Sequence, residues 1–176
     1  MRVLVAYYSE TGNTKKVARA ICEEVSKEHE ASLKRVSEIT VGDLNDYEVV
    51  FLGSACHSTD LAAPVKRILD AIPHAPKFKL AGFFTHATSP GGFHRWASNC
   101  ISSFQETSRE KNVDFRGYYN CQGVPSPPIQ EFIKREAIAS ADKYETYFEE
   151  VRKHPSPEDL QKAKEFARDV LSQTRE

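Results

Sequence analysis

Three short runs of this chain are too continuously apolar to lie on a sheet with one wet face, and that narrows the fold class at once. Val3-Leu4-Val5-Ala6-Tyr7-Tyr8 is the first of them. A half-exposed strand alternates apolar and polar side chains. An unbroken run suits a strand covered on both faces, as in a parallel sheet between layers of helices. Asp46 to Gly53 and Lys79 to Thr85 repeat the theme. Ser32 to Val36 reads as a half-exposed strand and Phe115 to Cys121 as a last one. Between them, Val17, Ile21 and Val25 recur at i, i+4 beside Ala18 and Cys22, the pattern of an amphipathic helix. Helices are also predicted over Ala63 to Ile72, where Pro64 is tolerated near the start, and over His94 to Lys111. Strand, loop and helix alternate throughout, which predicts an α/β doubly wound sheet of five parallel strands.

The chain has 176 residues, a length for one domain, and 40% hydrophobic against 28% charged residues, enough to bury a core. Lys and Arg number 24 against 25 for Asp and Glu. That balance gives no global field toward nucleic acid or an anionic membrane, and neither is expected as a partner. No apolar run approaches the ~20 residues of a bilayer span, and Met1-Arg2 leads into a strand with no secretory pattern. A soluble cytoplasmic protein is the expectation. Cys22, Cys56, Cys100 and Cys121 stand far apart with no Cys-x-x-Cys, so they read as thiols rather than disulfides or metal ligands. Cys56 reads as a buried thiol at a loop end, able to pack beside a ligand or to react with oxidants.

Beyond Gly123 the pattern changes. Pro125-Ser126-Pro127-Pro128 breaks the chain, and Ile129 to Val151 reads as one extra helix. Residues 125–155 are therefore read as a helical insertion in a single domain spanning 1–176. A terminal helix is predicted to start near Ser156, with Pro157, Glu158 and Asp159 in its first turn.

In an open parallel sheet, ligands bind beyond the carboxyl ends of the strands. The loops there are Ser9–Thr14, Ser54–Leu61 and Thr85–Phe93. The first supplies hydroxyls from Ser9, Thr11 and Thr14, a permissive backbone at Gly12 and a turn-tolerant Asn13, and it opens onto a helix N-terminus. Backbone N–H groups lack intrahelical acceptors there, so a phosphate can collect them together with the hydroxyls. Lys15 and Lys16 follow in the first turn, where cations are normally disfavoured by about 0.3–1 kcal/mol each. A bound phosphate would reverse that sign; two solvated lysines are the plainer reading.

Ser9-Glu10-Thr11-Gly12-Asn13-Thr14, after an apolar amino-terminal strand, resembles the FMN phosphate loop of the flavodoxin family, whose pattern is Thr/Ser-x-Thr-Gly-Asn-Thr. The resemblance covers about residues 1–124 and resumes in the final helix. It implies strand order 2-1-3-4-5 and one FMN held non-covalently, and the flavodoxin sheet is itself a known example of the switch-point rule, so the site's location is inherited from it. The resemblance further implies that Ser9, Thr11, Gly12, Asn13 and Thr14 hold the phosphate, with Glu10 contributing its backbone. Ser54-Ala55-Cys56-His57, and Thr85-His86-Ala87 on to Gly91-Gly92, would flank the isoalloxazine. Between Ser54 and Leu61 there is no glycine, tryptophan or tyrosine.

His57 and His86 lie in corresponding loops, either as flavin contacts or as plain loop histidines. His94 reads as a helix-start residue; His29, His74 and His154 read as surface. Phe93 and Trp96 follow the glycine pair, as a flavin cover or as core. No catalytic acid–base pair and no metal site is read from the spacing. Gly-x-Gly-x-x-Gly, a Walker lysine motif, Cys-x5-Arg and Gly-x-Ser-x-Gly are all missing. The expected function is electron transfer through FMN with a redox partner protein or NAD(P)H. An NAD(P)H-dependent FMN quinone or nitro reductase is the alternative, and a non-catalytic interaction module a further one; oligomerisation is left open.

Overall fold

The computed structural model describes residues 1–88, 93–138 and 140–174. Its strands are β1 (Arg2–Tyr7), β2 (Glu30–Arg35), β3 (Val49–His57), β4 (Asp60–Leu61), β5 (Lys79–His86) and β6 (Asp114–Gln122). The sheet order is β2-β1-β3-β5-β6, with every neighbouring pair on that path parallel. β4 is a two-residue strand turned back against the end of β3. Passing over it, the order is the expected 2-1-3-4-5.

The apolar runs form the middle of the sheet because both of its faces are covered. Val3 and Val5 of β1, with Phe51 and Phe83, pack under α1 (Asn13–Val25) and α7 (Pro157–Ser172) through Val17, Ile21, Ala163 and Ala167. Leu4 and Ala6, with Leu52 and Phe84, meet Val65 and Leu69 of α2 (Ala63–Ala71) on the other face. Cys100 and Phe104 of α4 (Ser98–Lys111) complete that core. Each large apolar side chain removed from water on either face contributes roughly 1.5–3 kcal/mol. β2, at the edge, has only partly covered side chains, as its mixed sequence implies.

Three local expectations need correction. Residues Ser54–His57 are not a loop: β3 continues through them, and Ser58-Thr59 turn the chain into β4. The segment from residue 94 to 111 is not one helix. A short α3 (Phe93–Trp96) precedes α4, and Ala97 between them leaves helical geometry at φ −141°. Nor is Ile129 to Val151 one helix. It is α5 (Pro127–Phe132), a π-helical turn over Ile133–Ala137, and α6 (Ala141–Val151). Ile138 is extended, and Ser140, also extended, caps α6 by accepting the Lys143 N–H. A serine offered as an N-cap stabilises a new start more than a continued helix. Tyr144, Tyr147 and Val151 of α6 pack with Ile133, Ile138 and Phe148 in a small core of their own. α7 starts as expected: Ser156 accepts the Asp159 N–H, and Asp159 accepts the Ser156 N–H in return. No helix among the described residues is long and apolar enough to cross a membrane.

Candidate functional site

At the end of β1 the chain makes a tight loop whose internal hydrogen bonds consume acceptors and spare donors. Gly12, at φ 92°, is the N-cap of α1, a left-handed conformation that glycine adopts without steric cost. Its N–H donates to Ser9 Oγ (3.1 Å), and Asn13 Nδ2 donates to Thr11 Oγ1 (2.8 Å). Ser9 and Thr11 therefore act as acceptors inward, which leaves each O–H to donate outward. The first intrahelical bond runs from the Lys16 N–H to the Gly12 carbonyl. The N–H groups of Asn13, Thr14 and Lys15 thus sit in the turn where no intrahelical acceptor exists. No acidic residue stands in that turn to compete for them. Space is open above Gly12, where an added Cβ would meet nothing within 4 Å.

Two long-range contacts hold this loop against the rest of the sheet. Asn13 Nδ2 also donates to the Val124 carbonyl (2.7 Å), and a Cβ at Gly123 would come 2.8 Å from Asn13 side-chain atoms. Only glycine allows that approach. The Thr14 hydroxyl, 1% exposed, pairs with the Thr85 hydroxyl of β5 at 2.8 Å. Thr14 thus offers the loop its N–H while its hydroxyl is engaged in the core. Ser54 is likewise turned inward, fully buried, with its Oγ bonded to the Ala55 carbonyl and the Ala62 N–H.

Beside the loop lies a cavity of about 660 Å³, a volume typical of small-molecule sites. Glu10, Cys56, His57, His86 and Ala87 line one side, all from the predicted site set. The opposite wall is apolar and comes from the insertion: Ile129, Phe132, Ile133, Ile138 and Tyr147. Sequence reasoning missed that wall, since Ile129 to Val151 read as one extra helix with no place at the site. The Tyr147 O–H donates to the Ala87 carbonyl (2.5 Å), tying α6 to the segment after β5. Gly91 and Gly92 lie outside the described residues.

The two paired histidines differ. His86, 9% exposed, has Nε2 3.1 Å from Asn120 Oδ1, and its Nδ1 receives the Thr88 N–H (3.4 Å) and lies 2.8 Å from Thr88 Oγ1. A backbone N–H can only donate, so this network assigns Nδ1 as acceptor and Nε2–H as donor. Burial pushes the His86 pKa below its ordinary value, favouring that neutral form. Phe93 covers the ring edge-on at 5.1 Å. His57 is more open: its Nε2 lies 3.5 Å from Glu10 Oε2, and Tyr8 meets its ring edge-on. Tyr8 donates to Glu10 Oε1 (2.7 Å), and that bond raises the Tyr8 pKa. His154, read as surface, is instead partly buried, with Nδ1 2.5 Å from Asp159 Oδ2. Its neighbourhood to Asp159 follows from the turn before α7, not from any loop at the cavity.

The donor set suits a phosphate monoester: outward hydroxyls and helix-start N–H groups, over a glycine with open space. The adjoining cavity, with one apolar wall and imidazoles opposite, suits a flat aromatic ring. On those two observations the residues present fit FMN.

A family model described as a flavodoxin domain matches residues 4–168. A flavodoxin-like domain-containing protein, BilS, from Clostridioides difficile is 29% identical over 97% of both chains. An uncharacterized protein of Methanocaldococcus jannaschii is 23% identical over 97% of this chain and 99% of its own. Among solved structures, a flavodoxin from the domain Archaea superposes with TM-score 0.66 over the whole of both chains at 19% identity. Oxidised flavodoxin 1 from Bacillus cereus does so with TM-score 0.68, 15% identity and 98% of both chains covered.

Proposed function

This chain belongs to the flavodoxin-domain family, and from that premise we propose that it binds one FMN non-covalently and serves electron transfer. The observation that supports this most is the loop Ser9–Thr14, with acceptors used internally and donors left facing out, beside a cavity of ring-binding character. FMN, when bound, supplies the redox chemistry. The protein's own residues grip, orient and enclose. Ser9 and Thr11 hydroxyls and the N–H groups of Asn13, Thr14 and Lys15 hold the phosphate; Gly12 gives the turn its hand. His86 is fixed by Asn120 and Thr88, so it orients the β5 end and moves no proton. His57 lines the wall with its Nε2 3.5 Å from Glu10 Oε2. The insertion excludes water through Ile129, Phe132 and Ile133. Titrating the purified protein into FMN tests the reading. Quenched flavin fluorescence with a shifted visible spectrum supports it; a colourless protein that leaves FMN fluorescence untouched ends it.

A second reading has its own observation. The apolar wall contributed by the insertion makes the cavity a partly roofed chamber rather than an open edge. Such a chamber suits a small acceptor, as in an NAD(P)H-dependent quinone or nitro reductase. Oxidation of NAD(P)H by the FMN-loaded protein, dependent on added quinone, would favour this reading over exchange with a partner protein.

A further inference from the structure

The apolar wall of the cavity includes side chains that the fold itself does not bury. Ile129 and Phe132 of α5 are 47% and 48% exposed, the highest values for large apolar side chains among the described residues. No residue of α5 is buried, and neither of these two joins a packed cluster among the described residues. Both line the cavity, where Ile133, Ile138 and Tyr147 continue the same surface. Tyr147 spends its O–H on the Ala87 carbonyl, so it adds a ring to this wall and no donor. Contiguous apolar surface left open to water in this way marks a binding site.

Charge narrows what can lie there. Among the described residues, no lysine or arginine lines the cavity. Glu10 is the carboxylate in its lining, and that side chain is held in place. The Tyr8 O–H donates to Glu10 Oε1 (2.7 Å), and His57 Nε2 lies 3.5 Å from Oε2. The donors suited to a phosphate are in the Ser9–Thr14 loop, and of that loop only Glu10 is among the described residues of the lining. An anion brought against the insertion wall would therefore face a carboxylate with no cation to offset it. An uncharged ring meets no such penalty.

We propose that the insertion wall binds an uncharged aromatic molecule, the acceptor class for the flavin, and that Glu10 bars its anionic relatives. The role as electron acceptor rests on the FMN reading; the binding itself does not. Phe132 and Tyr147 supply aromatic surface, Ile129 and Ile133 aliphatic surface, and Glu10 sets the charge rule.

The compounds 2-naphthamide and 2-naphthoate have nearly the same shape and differ by one charge at pH 8, where ordinary carboxylates are ionised and imidazoles are not. Equilibrium dialysis of each against the full-length protein measures the difference, first alone and then with FMN added. The amide is expected to bind roughly tenfold more tightly than the carboxylate, a modest like-charge penalty for a half-open site. Added FMN should leave amide binding in place. Glu10→Gln should close most of the gap by strengthening the carboxylate, while still offering Tyr8 an acceptor oxygen. Phe132→Ser, at an exposed position, should weaken the amide by about fivefold. Failure of both compounds to bind, equal binding, or a preference for the carboxylate would overturn the proposal. Displacement of the amide by FMN, or indifference to Phe132→Ser, would do the same. A protein that ignores FMN yet keeps the preference would end the FMN reading and uphold the site.

Discussion

Thr11 and Thr14 are the same residue type three positions apart in one loop, yet they face different tasks. Thr11 is exposed and accepts from Asn13, so its O–H is the part left for a ligand. Thr14 is buried and shares a hydrogen bond with Thr85, 71 positions away. Thr11→Ala should therefore weaken FMN binding by about 0.5–1.5 kcal/mol with little change in stability. Thr14→Val should leave the Thr85 hydroxyl unpartnered and cost about 1–3 kcal/mol of stability. FMN titration and urea unfolding of each variant separate the two effects, and equal behaviour of the pair would refute the division. The loop's composition was legible in the sequence because hydroxyls, glycine and asparagine are local choices. The direction in which Thr14 and Ser54 point was not, since their partners are supplied by distant elements. His86 carries a pH dependence of known sign. Its folded pKa lies below the ordinary value of 6.5, so the unfolded chain binds the proton first as pH falls. The stability that neutral His86 allows is complete above that value and declines as pH drops through it toward the folded pKa. Between about pH 7.5 and 5.5, unfolding free energy should fall more for the native sequence than for His86→Gln. Denaturant midpoints at the two pH values would show it.

At the scale of elements, the hairpin joining β3 to β4 is the place where local sequence and local backbone disagree. Ser58 and Thr59 have φ of 47° and 77°. Positive φ at both central residues is the type I′ hairpin, normally filled by Asn-Gly or Gly-Gly. A β-branched residue there is a genuine outlier, with strain of about 1–2 kcal/mol. What holds it is tertiary: Asp60 accepts from Leu61 N–H and Ser103 and pairs with Lys66, while Asn99 reaches Thr59. Despite burial, those partners keep the Asp60 carboxyl below its usual range. Thr59→Gly should raise stability by about 0.5–1 kcal/mol, the relieved strain outweighing both the lost, exposed Asn99 bond and glycine's added unfolded-state freedom. Thr59→Ala loses the Asn99 bond without relieving the strain, so it should not stabilise. Thermal unfolding of the two variants decides the matter. This hairpin reads as a featureless polar loop in the sequence because no glycine marks the turn. The insertion misled for the opposite reason. Its apolar residues do pack together, but the break at Ile138 is set by the cap at Ser140 and by Tyr147 bonding Ala87, neither of which has a periodicity to read.

For the whole molecule, the sheet order was legible because burial on both faces leaves its mark in every central strand. A slip of one residue would send Val3 and Val5 into the layer that Leu4 and Ala6 occupy. That order places the ends of β1 and β3 side by side, and the Ser9–Thr14 loop, the cavity and the segment after β6 converge there. Parts of the chain that are remote in sequence thus meet at one cavity: the loop at residues 9–14, the ends of β3 and β5, and residues 126–147. Ligand binding to such a site is linked to global unfolding, since the unfolded chain offers no cradle. At a free FMN concentration of about 100 times Kd, unfolding should cost ~2.7 kcal/mol more. For a chain of this length that corresponds to a rise of about 5–10 °C in Tm. The rise should scale with the logarithm of FMN concentration. Because uncharged groups make the grip and the net charge is only −1, added salt should diminish it little. Differential scanning calorimetry across FMN and salt concentrations tests both dependences at once. A Tm indifferent to FMN would remove the cofactor from this fold, and one that collapses with salt would shift the phosphate grip to Lys15 and Lys16.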